Sequence, residues 1–201
     1  MFHHFHDNKN YPNSPGSLDK HQLRKIIKFI GKDNIIEPLE FIEKLKNDKL
    51  NSEICLTFDD ALKCQFDIAQ PILEEFKLKA FYFIQTSIFE KQKDYSETYR
   101  FFRNNFYKNL NNFYNDFFYI LKNKTKKDFF KFFIKKKKLF LKKKKMYPFY
   151  SIKDIKFRLI RDNFLSEIEY KEIMIEMFKI KKFNYKKNLN NIFLNKSHIK
   201  K

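Results

Sequence analysis

Glycine is nearly missing from this chain of 201 residues, with Gly16 and Gly31 the only two. Loops that cradle phosphate need several glycines so that backbone amides can approach the ligand, and their scarcity excludes nucleotide binding of the P-loop or Rossmann type. Tryptophan is absent, and cysteine is limited to Cys55 and Cys64, without CxxC spacing. That pattern excludes a disulfide framework and a cysteine-rich zinc site, and reads as two free, mostly buried thiols. No stretch reaches the roughly 18 consecutive apolar residues of a membrane span, so no transmembrane segment is predicted. Residues 1–7 have neither the basic start nor the apolar centre of a secretory leader, which leads to the expectation of a cytoplasmic protein.

What is present is apolar surface and local positive charge. Hydrophobic residues make up 43% of the chain, including 27 phenylalanines, which suits one ordinary domain with its own core and argues against disorder. The net charge of +19 is unevenly spread, since residues 1–90 carry 12 basic and 14 acidic side chains. All of the excess therefore lies beyond them. Residues 122–145 alone hold 13 lysines and one aspartate.

Patterning predicts the following elements. Residues 1–6 read as a short buried strand, followed by a turn region with Pro12, Pro15 and Gly16. Leu23, Ile26, Ile27 and Ile30 recur at helical spacing, with Ser17 as the expected cap and Gly31 as the stop. Pro38 opens a second helix that ends near Asp48. Residues 53–58 combine apolar and β-favouring side chains and are the clearest strand of the chain. Leu62, Phe66, Ala69, Leu73 and Phe76 then share one helical face, with a kink expected at Pro71. A second strand is predicted over 80–84. Strand, helix and strand in this order make a βαβ unit with parallel strands. Beyond residue 90, Phe102, Phe106, Leu110, Phe113, Phe117 and Leu121 keep helical spacing, and further helices are predicted over 125–143, 152–161 and 166–179. The expected organisation is an α/β part over 1–90 and a helical, Phe- and Lys-rich part over 91–201.

The chemistry is concentrated at Thr57-Phe58-Asp59-Asp60, at the C-terminal end of the first strand, where parallel α/β folds present ligand crevices. Two adjacent carboxylates there can divide their labour, one binding a divalent cation and the other accepting a proton from a water. Spacing alone also allows a plainer arrangement, in which Asp60 caps the following helix and Asp59 is solvated. The wider pattern is more specific. Leu56-Thr57-Phe58-Asp59-Asp60-Ala61, then Pro71-Ile72-Leu73-Glu74-Glu75-Phe76, then Lys79-Ala80-Phe81-Tyr82-Phe83-Ile84 resembles the polysaccharide deacetylases of carbohydrate esterase family 4, and Phe2-His3-His4 resembles their opening strand. The resemblance covers about the first 90 residues. It implies a distorted (β/α) barrel, here partial and carrying a large helical insertion or extension, and metal-dependent removal of acetyl groups from N-acetylated sugars. On that basis Asp59 is the expected general base and Asp60 a metal ligand, the metal being zinc. Ala61 stands where the family has glycine, a departure the backbone accepts unless it needs a positive φ there.

The family's second motif supplies two closely spaced histidines that complete the metal site. Here the only histidine after His21 is His198, so the ligand set is incomplete, and the chain by itself is expected to be inactive or a fragment of a longer enzyme. Alternation along a strand would place His4 and His6 on one side and His3 on the other, which makes His4 and His6 candidates for the floor of the active site. His21 is expected on the polar side of its helix. The lysine-rich run, where Lys135–Lys138 and Lys142–Lys145 flank Leu139-Phe140-Leu141, reads as a solvated helix face. Its alternative is a basic binding module for nucleic acid or an anionic membrane surface.

Overall fold

The computed structural model describes residues 1–89, 95–125 and 127–199. Lys126 within the lysine-rich run, Lys200 and Lys201, and the expected boundary at residues 90 and 91 lie outside the described residues. In chain order the elements are α1 (Lys20–Ile30), α2 (Pro38–Lys46), β1 (Leu56–Asp59), α3 (Gln70–Phe76), β2 (Ala80–Phe83), α4 (Tyr95–Asn105), α5 (Leu110–Lys124), α6 (Phe129–Lys135), α7 (Lys137–Met146), α8 (Ile152–Asn163), α9 (Glu167–Ile180), α10 (Tyr185–Ile192) and α11 (Lys196–Ile199). They form two compact units, one of Met1–Asn105 joined by the chain from Tyr185 onward, the other of Phe106–Asn184. The stretch read from sequence as one helical part is thus shared between the two. Among the described residues no helix is long and apolar enough to cross a membrane.

In the first unit, β1 and β2 pair in parallel, with Leu56 opposite Ala80 and Asp59 opposite Phe83. This is the βαβ unit expected from the sequence. The connection runs helical without a break from Lys63 to Phe76, and the disturbance expected at Pro71 is a wider π turn over Gln65–Ala69, directly before α3. Pro71 has no N–H to donate to the preceding turn, and the π turn there accommodates it within the helical stretch. Residues 1–6 do not make a continuous strand. Phe2 bridges Phe58 and Phe5 bridges Leu18, each as an isolated pair. The cap of α1 is Asp19 and not Ser17: Asp19 accepts from Gln22 N at 2.8 Å while Gln22 Oε1 accepts from Asp19 N at 2.8 Å. The Ser17 hydroxyl is buried and already engaged with His6 and the Ser14 carbonyl. Gly31 ends α1 at φ 85°, a conformation cheap only for glycine.

The expected barrel is not seen among the described residues, whose sheet has two strands in a mostly helical chain. Closing a barrel requires a ring of strands hydrogen-bonded along both edges, and here β1 alone has neighbours on both sides, β2 and the single bridge to Phe2. The core of this unit gathers Phe5, Leu23, Ile27, Leu56, Phe58, Leu62, Ile72, Leu73 and Phe193. Phe58 is its centre, stacked on Tyr82 at 4.9 Å and tilted against Phe2 at 5.6 Å.

The second unit is all helical. Phe157 of α8 packs edge-on against Phe117 at 4.8 Å and Phe113 at 5.3 Å, both from α5, and Met174 and Met177 of α9 are fully buried. Ser151 and Ser166 cap α8 and α9 through their hydroxyls. The single helix expected over 125–143 is instead α6 and α7, separated at Lys136. The break falls within four consecutive lysines, where like charges at helical spacing oppose continuation.

Candidate functional site

The two-residue period of β1 sends Leu56 and Phe58 into the core and leaves Thr57 and Asp59 on the other, half-buried face. Asp59 is the last residue of the strand. The next two residues both take left-handed backbone, Asp60 at φ 72° and Ala61 at φ 50°. Aspartate visits this region readily, whereas alanine pays about 1–2 kcal/mol to do so. The condition under which Ala61 would be a costly replacement for glycine is therefore met. The buried turn is held by the tail of the unit, since the Ala61 carbonyl accepts from Leu194 N at 2.8 Å. The effect of the turn is to present both carboxylates next to the N-terminal segment.

That segment places His3 against the acid pair. His3 Nε2 lies 3.4 Å from Asp59 Oδ2 and 3.9 Å from Asp60 Oδ2. Asp59 Oδ1 is buried and has no hydrogen-bond partner among the described residues. His4 is engaged by Glu97 of α4, Nε2 to Oε2 at 2.8 Å. His6 is buried and turned to Ser17, with Nδ1 2.9 Å from the hydroxyl. So His4 and His6 do not share one surface, and His3 takes the place by the carboxylates. Alternation fails here because the segment pairs with different partners in turn, Phe2 with β1, the His3 carbonyl with Gln65, and His4 to His6 with Leu18, and so does not run as one strand.

Burial pushes the Asp60 carboxyl above its ordinary range, the negative charge of Glu97 pushes it further, and His3 pulls the other way. The folded protein thus holds this proton to higher pH than the unfolded chain does. The stability this group contributes is complete below its unfolded pKa and is lost as pH rises through the folded value. Cys64, pushed up to about 11 by burial, is an inert core thiol. It accepts from Phe5 N at 3.4 Å and, with His4 and Glu97, lines a pocket of about 60 Å³.

Gln65 organises the site from beneath. It is fully buried, and its Nε2 donates both to the His3 carbonyl at 2.8 Å and to the Asp59 carbonyl at 2.6 Å. One amide thereby clamps the two backbones that carry the imidazole and the carboxylate. Replacing Gln65 with leucine is expected to destabilise the protein by about 1–3 kcal/mol, because two half-buried carbonyls lose their donor. Denaturant unfolding measures this loss, and a change below about 0.5 kcal/mol would remove Gln65 from this role.

Among the described residues, no group of three or more His, Cys, Asp or Glu side chains is arranged to hold a metal ion. Zinc sites use three or four protein ligands, and here Glu97 is occupied by His4, while His198 Nδ1 accepts from Asn195 N at 3.1 Å. His3, Asp59 and Asp60 meet at the strand end but are not arranged as a ligand set, so as placed they do not fit the implied zinc. Three residues of the site escaped the sequence reading in this role. His3 was visible in the Phe2-His3-His4 pattern but assigned to the opposite side. Glu97 and Gln65 stand in no motif, and only their long-range partners identify them. No family model, no curated protein and no solved structure matches this chain.

Proposed function

We propose that Asp59, Asp60 and His3 form the acid–base centre of a hydrolase of the polysaccharide deacetylase type, acting on N-acetylated sugars. The observation that supports this reading most directly is the approach of one imidazole nitrogen to both carboxylates at a strand end, 3.4 and 3.9 Å away. Asp59 accepts a proton from a water whose oxygen adds to the acetyl carbonyl. Asp60, which burial favours in its protonated form, returns a proton to the amine nitrogen as the C–N bond breaks, releasing acetate. His3 orients the two carboxyls. Turnover by these groups alone is expected to be slow, since acid–base catalysis of this kind contributes about 10²–10⁴-fold. On the same reading the β1–α3–β2 unit, with Phe2 bridged to β1, is the opening piece of a distorted (β/α) barrel.

The test is a titration with N-acetylated chito-oligosaccharides, following the imidazole resonances of the histidines. Perturbation of His3, reduced in an Asp60→Asn variant, is expected. No change at His3 at saturating sugar would overturn the assignment.

A further inference from the structure

The lysine-rich helix of the second unit offers a surface that the proposed hydrolytic site does not use. α7 turns Leu139, Phe140 and Lys143 inward, all half-buried, with Lys143 Nζ 3.7 Å from Asp162 of α8. Its other face is open. Leu141 is 52% exposed, and the residues three and four positions to either side of it are Lys137, Lys138, Lys144 and Lys145, every one exposed. On a helix those positions are its nearest surface neighbours. An apolar side chain thus stands in a collar of four ammonium groups, none of which has a carboxylate partner among the described residues.

The apolar character continues past the helix. Met146 is 56% exposed, Phe149 69% and Ile152 51%, so three further large side chains lie open within a few residues of the collar. A solvated helix face explains the lysines but not these. Nucleic acid would reward the charge through its phosphates, but it offers little to Leu141, Met146 and Ile152, which are aliphatic and cannot stack as aromatic rings do on bases. A bilayer carrying anionic lipid rewards both. Its negative surface attracts lysines, and its acyl boundary accepts aliphatic and aromatic side chains inserted to a shallow depth.

We infer that the outer face of α7, with the residues that follow to Ile152, is a docking surface for anionic lipid bilayers, in which Leu141 and Phe149 insert while Lys137, Lys138, Lys144 and Lys145 hold the headgroups. The surface needs no membrane-spanning segment and is independent of the chemistry at Asp59 and Asp60.

Co-sedimentation with vesicles tests it. The protein is expected to bind phosphatidylcholine vesicles containing phosphatidylserine, to ignore vesicles of phosphatidylcholine alone, and to be released by salt. Replacing the four collar lysines with glutamine is expected to weaken binding roughly a hundredfold or more, from the attraction each lysine contributes near an anionic surface. The uncharged pair Leu141→Asn and Phe149→Asn keeps the net charge and is expected to weaken it about tenfold. All six positions are exposed, so the variants should melt with the parent. Vesicle binding indifferent to phosphatidylserine would overturn the inference. So would Leu141→Asn, Phe149→Asn protein that binds vesicles as tightly as the parent, or binding to single-stranded DNA that exceeds vesicle binding at equal salt.

Discussion

An Asp59→Asn protein is expected to lose acetate release from N-acetylated sugars by about 10²–10⁴-fold, the whole of what a positioned general base contributes. The substitution is nearly isosteric and removes the ability to take a proton together with the charge that faces His3. It also leaves the local backbone in place, because Asp59 is anchored by main-chain groups. Its N–H donates to the Phe2 carbonyl at 3.2 Å and its carbonyl accepts from Gln65 at 2.6 Å. The free energy of unfolding should therefore change by no more than a surface substitution does, about 0.5 kcal/mol. A structural role for the carboxylate would give the opposite pattern, with activity and stability falling together. Acetate release measured beside thermal unfolding separates the two, and unimpaired release by Asp59→Asn would exclude it as the base. His3→Gln supplies a second comparison. As a positioning residue, it should alter the pH profile more than it lowers the maximal rate.

The largest expected effect on stability comes from the residue beside it. Phe58→Ala should destabilise the first unit by about 3–5 kcal/mol, the cost of removing a buried aromatic ring together with the cavity left behind. Phe58 is fully buried, and its ring meets Phe2, Phe5 and Tyr82 at centroid distances of 5.6, 5.9 and 4.9 Å. Those partners belong to the N-terminal segment and to β2, so one side chain joins the three backbones that build the site. Since a domain is stable by only about 5–15 kcal/mol, the loss consumes a large share of the total. Phe58→Leu, which fills much of the same volume, should cost less, about 1–1.5 kcal/mol. Equilibrium denaturation of both variants reads the difference. A loss below about 1 kcal/mol for Phe58→Ala would mean that the ring does not join these segments.

Several elements were legible because local pattern decides them. The 3.6-residue recurrence of Leu23 and Ile27, both buried in α1, and the stop at Gly31 depend only on near neighbours in the chain. The same holds for α8 and α9, and for the parallel pairing of β1 with β2, which follows from one helix between two apolar runs. Caps were less predictable. Whether Ser17 or Asp19 closes α1 turns on His6, which claims the serine hydroxyl from eleven residues away. The irregularity at Pro71 is legible from sequence, since proline cannot donate within a helix, but its form as a π turn over Gln65–Ala69 is not.

For the site, sequence alone was enough to locate two adjacent acids at the end of a buried strand, because alternation and the run of apolar residues before them are local features. Which histidine meets them was a tertiary matter. Residues 1–6 are held by two isolated bridges and by Gln65, a residue about sixty positions on, and those long-range ties rather than strand periodicity turn His3 to the carboxylates. Glu97 and the positive φ at Ala61 belong to the same class, since each depends on groups brought together only when distant segments pack. Charge divides in the same way. The number of lysines in α7 can be read from the chain, but their arrangement around an exposed Leu141 exists only because the opposite face of that helix is covered.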